Sequence, residues 1–351
     1  MPKPPAADPN TPESVVLSQF AGIKNTVAPE RLQPNELERA VNIDLDDVGQ
    51  ARRRRGFTRK LSGVCHSLFT ASYATFVVKD GVLSIVNPDY SLRALQSGIS
   101  ADPLDYVQVG DDVYFSSMTH SGIIRRDGSV DPWGQQVSPG VWLSPVVNPT
   151  ATLPQIRGRL LGAPPMASAL AYWNGRIYMV SGRLLWATEL YNYTLVDKTK
   201  NFLPFEDDIT DIGVVTDGLY VGTRSACWFL SGRFNEMTRI PVTDYGVLPG
   251  TMLPIPSELI NPQVPLDQQA PTKNALVWMS SFGLVAGMDS GNSFNLTTNM
   301  TIFPEAETGA AFFRRQDGIN SFVAALNSGG TPTSTARIGD YVDAEIRRFN
   351  P

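Results

Sequence analysis

The stretch NIDLDDVGQARRRRGF, residues 42–57, brings carboxylates and guanidinium groups within a few positions of one another. Asp44, Asp46 and Asp47 precede four consecutive arginines at 52–55, and a glycine at position 49 is typical of a turn between them. A guanidinium group binds carboxylates and phosphates through paired hydrogen bonds. The stretch can therefore form ion pairs with protein carboxylates or contact a phosphate backbone.

The four arginines fall on both sides of the strand that this stretch predicts. Alternation along an extended chain puts Arg52 and Arg54 on one side and Arg53 and Arg55 on the other. Since both sides cannot face one core, we expect this strand at the surface or in an interface. Three roles stay open: a solvated basic edge that blocks aggregation, pairing with aspartates of an adjacent subunit, and contact with passing DNA.

The sequence offers little for catalysis. Its two histidines, His66 and His120, are too few for a multi-histidine metal site, and neither is placed to activate a nucleophile. Acidic pairs such as Asp111 and Asp112, or the run at 206–208, lie in turn-like stretches, and we interpret them as turn formers. The sequence contains no nucleophile elbow, phosphate-binding loop or zinc-protease helix. We predict no catalytic residue, no cofactor and no metal site.

The two cysteines are too few for a disulfide framework. Cys65 and Cys227 each lie among apolar residues, which predicts two inert thiols in the core.

Composition favours a folded, β-rich protein. Hydrophobic residues make up 42% of the 351 residues and charged residues only 18%, while 29 glycines and 27 prolines supply turns. The net charge of −5 argues against a whole surface built for phosphates. The N-terminus lacks the apolar centre of a signal peptide, and no stretch is apolar over the length of a membrane span. We therefore expect folding in a cytoplasm.

One local pattern recurs from residue 75 onward: apolar residues, a tight turn, and a second apolar strand. The copies are TFVVKDGVLSIV (75–86), YVQVGDDVYFSS (106–117), LAYWNGRIYMVSG (170–182), IGVVTDGLYVGT (212–223), LVWMSSFGLVAG (276–287) and FFRRQDGINSFVAAL (312–326). We predict two-residue hairpin turns at Gly81, Gly175, Gly218 and Gly318, each preceded by Asp or Asn, because these residues tolerate positive φ.

The spacing of these hairpins predicts an all-β fold, a β-propeller of five or six blades. Units of roughly 30 to 45 residues, some enlarged by insertions, are typical of propeller blades. GMDSGNSF (287–294) loosely resembles the Asp-box, a hairpin signature on sialidase propeller blades. We divide the chain into an extended arm (1–16), an interface segment (17–62) and the propeller (63–351).

Two proline-rich segments interrupt the pattern. Residues 139–166 and 241–271 have no place in the repeat, yet apolar residues recur through both. Long loops in compact domains are uncommon unless they form contacts. We predict that both are insertions that pack against another chain.

The interface segment carries a resemblance to a known family. Its elements Phe20-Ala-Gly-Ile, Ala40-Val-Asn-Ile-Asp and the Arg-Arg-Gly ending at Gly56 are similar to the opening of structural tail proteins of short-tailed bacteriophages, the tail nozzle or hub proteins of the tail tubular protein B type. A second resemblance covers 246–326 and includes GVLPGTM, VWMSSFGLVAG, FNLT and GAAFFRRQDG.

This resemblance implies a virion component without enzymatic activity. Such proteins form a ring, usually of six copies, around the channel through which DNA leaves. The ring joins a tail adaptor above to fibres, spikes or a plug below, touches DNA only in transit and does not associate stably with membranes. It would be made in the host cytoplasm. In such a ring, the aspartates and arginines of 44–55 are candidate subunit or channel contacts.

A second function fits the same architecture. A propeller-type tail protein can bind carbohydrate or hydrolyse glycosides. An enzyme of this kind should show a pocket with converging carboxylates or arginines, whereas a ring component should show apolar contacts between subunits.

Overall fold

The computed structural model describes residues 19–46, 48–134, 161–260, 274–298, 300–303, 306–316 and 319–327, together with two short strands between 136 and 142. This part of the chain consists of β-strands and turns and contains no α-helix, only single 3-10 turns. None of its helical turns is long and apolar enough to cross a membrane. The predicted arm, Asp47 and Gly318 lie outside the described residues.

The interface segment forms two small sheets. Strands β1 (Gly22–Ile23) and β2 (Glu36–Leu37) pair in parallel, and β3 (Ile43–Leu45) and β4 (Ala51–Arg53) form an antiparallel hairpin.

Five four-stranded antiparallel sheets follow along the chain. The strands of sheets 1 and 2 are β5 (Cys65–Thr70), β6 (Thr75–Lys79), β7 (Val82–Val86), β8 (Leu92–Ser97), β9 (Asp105–Val109), β10 (Asp112–Ser116), β11 (Ser121–Ile124) and β12 (Val130–Asp131). Next come the short strands β13 (Gln136–Ser138), β14 (Val141–Trp142) and β15 (Leu161–Gly162).

Sheets 3 to 5 continue the series, with one short strand, β19, paired outside them to β15. In chain order the strands are β16 (Ala169–Trp173), β17 (Arg176–Ser181), β18 (Leu184–Ala187), β19 (Val196–Asp197), β20 (Phe202–Pro204), β21 (Ile209–Val214), β22 (Gly218–Thr223), β23 (Cys227–Ser231), β24 (Thr238–Thr243), β25 (Leu253–Pro256), β26 (Asn274–Ser280), β27 (Gly283–Gly287) and β28 (Ser293–Asn295). The long hairpin β29 (Thr308–Gln316) and β30 (Ile319–Asn327) ends the described chain.

The core lies between consecutive sheets. Sheet 2 shows the principle: Val113 and Phe115 of β10 pack toward sheet 1, whereas Tyr114, between them, packs toward sheet 3. The second strands of sheets 3 to 5 alternate in the same way, and Phe322 of β30 packs against sheet 5. Because these strands are buried on both faces, they are apolar throughout rather than alternating with polar residues.

The first strands of sheets 2 to 5 and β29 also contact one another in order. Radial packing of this kind around inner strands is the architecture of a β-propeller. The predicted all-β propeller is therefore confirmed, with five four-stranded sheets and a further hairpin in the described chain.

The predicted hairpin turns have two outcomes. Asp80 and Gly81 have φ of 50° and 78°, and Asn174 and Gly175 have φ of 48° and 76°, as a two-residue turn of this type requires. The prediction for Gly218 was wrong: residues 215–217 make the connection, and Gly218 is the first, buried residue of β22.

The predicted repeat also mixed two kinds of turn. The Gly81 turn joins the second and third strands of sheet 1, whereas the Gly175 turn joins the first and second strands of sheet 3. Both connections join antiparallel strands and use the same residues, so the sequence pattern does not separate them.

The second proline-rich segment was partly misassigned. Its residues 241–243 belong to β24 and 253–256 form β25, and each of these strands lies at an edge of its sheet. Edge strands tolerate proline because one of their sides makes no ladder hydrogen bonds. Residues 261–271 of this segment, and 139–166 apart from β14, β15 and 163–166, lie outside the described residues.

Candidate functional site

The two ends of the described chain meet. Asn25 of the interface segment accepts a hydrogen bond from the Ile302 amide at 2.7 Å and donates from its own side chain to the Ile302 carbonyl at 2.9 Å. The Asn25 amide donates to the Met300 carbonyl at 3.0 Å. The interface segment is thus bound to the strand connections near the C-terminal hairpin, 277 residues away in the chain.

Asp44 is the centre of a largely buried ion cluster at this junction. One carboxylate oxygen accepts from Arg54 Nε at 2.8 Å, and the other accepts from Arg314 Nη2 at 2.8 Å. The three side chains are only 9–11% exposed. Arg314 lies on β29, so the cluster joins the β3–β4 hairpin to the last hairpin of the propeller.

Asp46 builds the turn that aligns this hairpin. Its carboxylate accepts hydrogen bonds from the amides of Val48 and Gln50, and it also forms an ion pair with Arg52 at 3.0 Å. Aspartate commonly caps its own turn in this way. The turn sets the register in which Asp44 lies opposite Arg52.

The alternation predicted for the arginines is present. Arg52 and Arg54 lie on the side of the aspartates and pair with them, Arg52 at the surface and Arg54 largely buried, and Arg53 and Arg55 are exposed. Asp44 and Asp46 form ion pairs with Arg54 and Arg52 of their own chain, across the β3–β4 hairpin.

Two aspartates that the sequence analysis missed lie on the inner strands. Asp105, at the start of β9, accepts from its neighbour Tyr106 at 2.9 Å and from Leu170 of the next sheet at 2.6 Å. Asp211, on β21, accepts from Ile212 at 2.9 Å and, across the next sheet boundary, from Gly250 and Met252 at 3.1 Å each. Both carboxylates thus connect one sheet to the next.

Burial dominates the electrostatics of these two groups. Loss of water raises the pKa of Asp105 to about 6, against the opposing effect of its two amide donors. Burial, and then the nearby charge of Asp105, raises the pKa of Asp211 to about 7. The sequence contains a signal for both aspartates. Each lies five or six positions before a hairpin turn and is followed directly by an apolar residue, once in sheet 2 and again in sheet 4.

The other candidate groups are engaged in local structure. Asp111 and Asp112 form ion pairs with Arg126 and Arg125 at 2.9 and 2.6 Å. His120 lies within hydrogen-bonding distance of Thr119, and His66 of Ser67, in each case a sequence neighbour. No group of three or more metal-ligating side chains occurs among the residues that the structure describes.

The two cysteines differ in burial. Cys227 is buried between sheets 4 and 5, and burial raises the pKa of its thiol. The prediction for Cys65 was wrong, because this thiol is exposed at the start of β5. An inner strand pairs with only one neighbour, so apolar flanking residues do not ensure burial there.

A cleft of about 320 Å³ lies between the outer strands of sheets 1 and 2. Its lining carboxylate, Asp131, is bound to Arg125 at 2.8 Å. Glycosidases need two carboxyl groups across a cleft, and the described lining of this one contains a single such group.

Aspartates also organise the connections between the third and fourth strands. In sheets 1 to 3, Asp89, Asp127 and Asp197 each accept from the amide two residues on, at 2.9, 2.8 and 3.1 Å. In sheet 5 the Asp-box-like stretch occupies the same connection, where Asp289 accepts from Thr216 of sheet 4 at 3.0 Å. The motif is therefore structural here.

No family model matches the chain, and no curated protein matches it. Solved structures to which it is similar include the N-terminal domain of Nup159, at 10% identity and a TM-score of 0.41 over 75% of this chain and 73% of that one. The WD40 β-propeller domain of Doa1 is similar at 8% identity and a TM-score of 0.42, over 75% and 78% of the two chains. BBS1N in complex with ARL6DN is similar at 15% identity and a TM-score of 0.39, over 74% and 73%.

Proposed function

We propose that this chain is a structural component of a bacteriophage tail. It acts as a nozzle or hub subunit in a ring of six copies around the DNA exit channel, between an adaptor and distal fibres, spikes or a plug. It carries out no catalysis, and it reaches the virion after synthesis in the host cytoplasm.

One observation carries this proposal. The two stretches whose sequence resembles tail proteins, 17–57 and 246–326, are far apart in the chain. The ion pair between Asp44 and Arg314 brings them together. This ion pair is largely buried, so a substitution of either residue leaves a buried charge without its partner. The two stretches therefore depend on each other in the folded chain.

The exposed side of β4 supports a role in assembly. Arg53 and Arg55 are exposed, whereas Arg54 of the same run is committed to Asp44 inside the chain. Both exposed side chains lie at the surface, where carboxylates of an adjacent subunit can approach them.

Sedimentation of the purified chain and electron cryo-microscopy of the virions that carry it test the proposal together. We expect a ring in solution or on the adaptor, and propeller density around the exit channel of the tail. A chain that stays monomeric and is missing from purified virions would contradict it. Deletion of residues 2–13 should leave the melting temperature nearly unchanged but reduce incorporation into particles.

A further inference from the structure

The last hairpin of the propeller has two strands among the described residues, whereas each of sheets 1 to 5 has four. Its first strand, β29, takes an inner position, because it contacts β25, the first strand of sheet 5. Its second strand, β30, pairs with β29 alone in this part of the chain. The other edge of β30 therefore lies where the complete sheets have their third strand.

The ladder shows which backbone groups of β30 point to that edge. Gln316 lies opposite Ile319 with two residues between them, and a hairpin with such a short loop closes on a hydrogen-bonded pair. Such pairs alternate along an antiparallel ladder, and the Gly309 amide, on the outward side of β29, accordingly donates to the Pro249 carbonyl at 2.9 Å. The residues of β30 whose amide and carbonyl groups point away from β29 are Asn320, Phe322, Ala324 and Leu326.

Two of these residues are closed to water. Phe322 and Ala324 are each 0% exposed, so solvent does not satisfy their outward amide and carbonyl groups. Buried backbone groups of folded proteins are almost always paired. The edge of β30 is therefore covered by protein, and a further strand is the partner that satisfies such a row of donors and acceptors.

Residues 328–351 follow β30 directly and are long enough for the missing part of the sheet. From the end of the second strand to the end of the fourth, the complete sheets use from 15 residues (117–131, sheet 2) to 23 residues (182–204, sheet 3). The sequence continues for 24 residues after β30 (328–351). The connections between second and third strands contain only two to four residues, such as 80–81 and 117–120.

The sequence of this segment has the pattern of two strands and two turns. The stretch SGG (328–330) is typical of a turn, and TSTARI (333–338) is rich in β-branched residues that favour strands. Gly-Asp at 339–340 is a signal for a two-residue hairpin turn. In YVDAEIR (341–347) apolar residues alternate with charged ones, as in a strand with one buried side.

We propose that residues 328–351 dock on the edge of β30 and supply the third and fourth strands of a sixth sheet. Residues 333–338 pair with β30, and 341–347 form the outer edge, where the charged residues face solvent. Charged edges of this kind oppose pairing with other chains. The inference goes beyond the proposed function, because it holds whether or not the chain forms a ring.

Trypsin tests the pairing, because Arg337 lies within the proposed third strand. In the full chain, cleavage after Arg337 should be at least about a hundredfold slower than in a free peptide of residues 328–351, since cleavage requires local opening of the sheet. Lys60, exposed between β4 and β5, is the internal reference for an accessible site. Rapid cleavage after Arg337 in an otherwise intact chain would overturn the proposal.

Proline substitutions test the position of the third strand without knowledge of its register. A strand paired on both sides loses a ladder hydrogen bond wherever proline is placed inside it. Thr335→Pro should therefore lower the melting temperature and speed cleavage after Arg337 at least about tenfold. Thr331→Pro, two positions before the strand, is the control and should change neither quantity.

Asparagine substitutions test the outer strand in the same way. Ile346 and Glu345 are neighbours on opposite sides of it, so Ile346→Asn should lower the melting temperature, whereas Glu345→Asn should leave it nearly unchanged. Equal effects of the two asparagines, or of the two prolines, would contradict the proposed strands.

The outcomes also separate this proposal from its alternatives. Protection of Arg337 that is lost on dilution, once sedimentation shows a monomer, would mean that a second copy covers β30 and would overturn the proposal. A chain that is protected as a monomer but missing from virions would support the sixth sheet and contradict the tail function.

Discussion

The charges around Asp44 show how single residues hold the ends of this chain together. One carboxylate faces two guanidinium groups, Arg54 and Arg314, in a setting almost closed to water. The Nε atom of Arg314 is buried and makes no hydrogen bond within the described residues. A buried charge is costly without a partner. Because the Asp44 carboxylate binds both arginines, its loss would affect both of them.

Asp44→Ala should therefore be severely destabilising. It removes the carboxylate that two largely buried guanidinium groups share, and loss of one member of a buried ion pair costs about 3–5 kcal/mol. Urea unfolding measures the change in the free energy of unfolding. Asp46→Ala is the control, because its partner Arg52 is 57% exposed and exposed pairs contribute only about 0–1 kcal/mol. Equal effects of the two substitutions would show that the cluster contributes little.

The inner-strand aspartates predict an unusual pH dependence. Their pKa values in the folded protein, about 6 for Asp105 and about 7 for Asp211, lie above the value of about 3.9 for an unfolded aspartate. The folded state therefore binds more protons, so stability is fully present below about pH 4 and is lost as pH rises through 6 and 7.

Thermal melting between pH 4 and 7 checks this dependence, because the folded and unfolded states differ in bound protons over that window. The melting temperature should fall as pH rises across this window, and Asp211→Asn should flatten the decline even if it lowers stability at every pH. A melting temperature that is constant or rises over the window would contradict the assignment.

At the scale of elements, close packing leaves no room for an added side chain at the start of β22. Gly218 begins β22, and a Cβ atom there would collide with the carbonyl oxygen of Leu230 and lie 2.5 Å from the ring of Phe229. Gly56, in contrast, has no neighbouring atom within 4 Å of a Cβ position. The same substitution at the two positions separates steric from general effects.

Gly218→Val should destabilise the fold by more than about 1 kcal/mol, as overpacking does. The reason is collision within sheet 4, since Gly218 is a strand residue without positive φ. Gly56→Val should change the free energy of unfolding by less than about 0.5 kcal/mol. Denaturant titration of both variants provides the comparison, and a neutral Gly218→Val would mean that sheet 4 yields to the added side chain.

At the scale of the whole molecule, the exposed arginines separate assembly from DNA contact. Reversal of Arg53 and Arg55 to glutamate should weaken the ring while each chain still folds, because removal of one member of a partly buried charge pair between subunits costs about 2–5 kcal/mol. Sedimentation and particle assembly are the measurements. Arg126→Glu, an exposed change in sheet 2, should have no such effect. Normal assembly with altered DNA ejection would instead assign these arginines to the channel.

The sequence by itself determined the fold class and the local chemistry. Apolar runs separated by turns such as Asp80–Gly81 predict antiparallel strands, because positive φ at both turn positions is a local property of these residues. The alternation of Arg52 to Arg55 likewise follows from the backbone of a single strand. Neither needs knowledge of what lies across the fold.

Only the tertiary structure decided which groups meet. Asp44 and Arg314 are 270 residues apart, and neither local sequence indicates which residue is the partner. The turns at Gly81 and Gly175 have the same residue types, so the sequence does not show that they join different pairs of strands. The exposure of Cys65 depends on what packs beside an inner strand. Burial, and with it the raised pKa of Asp211, arises from the sum of surrounding atoms, which is fixed when the sheets assemble around their common axis.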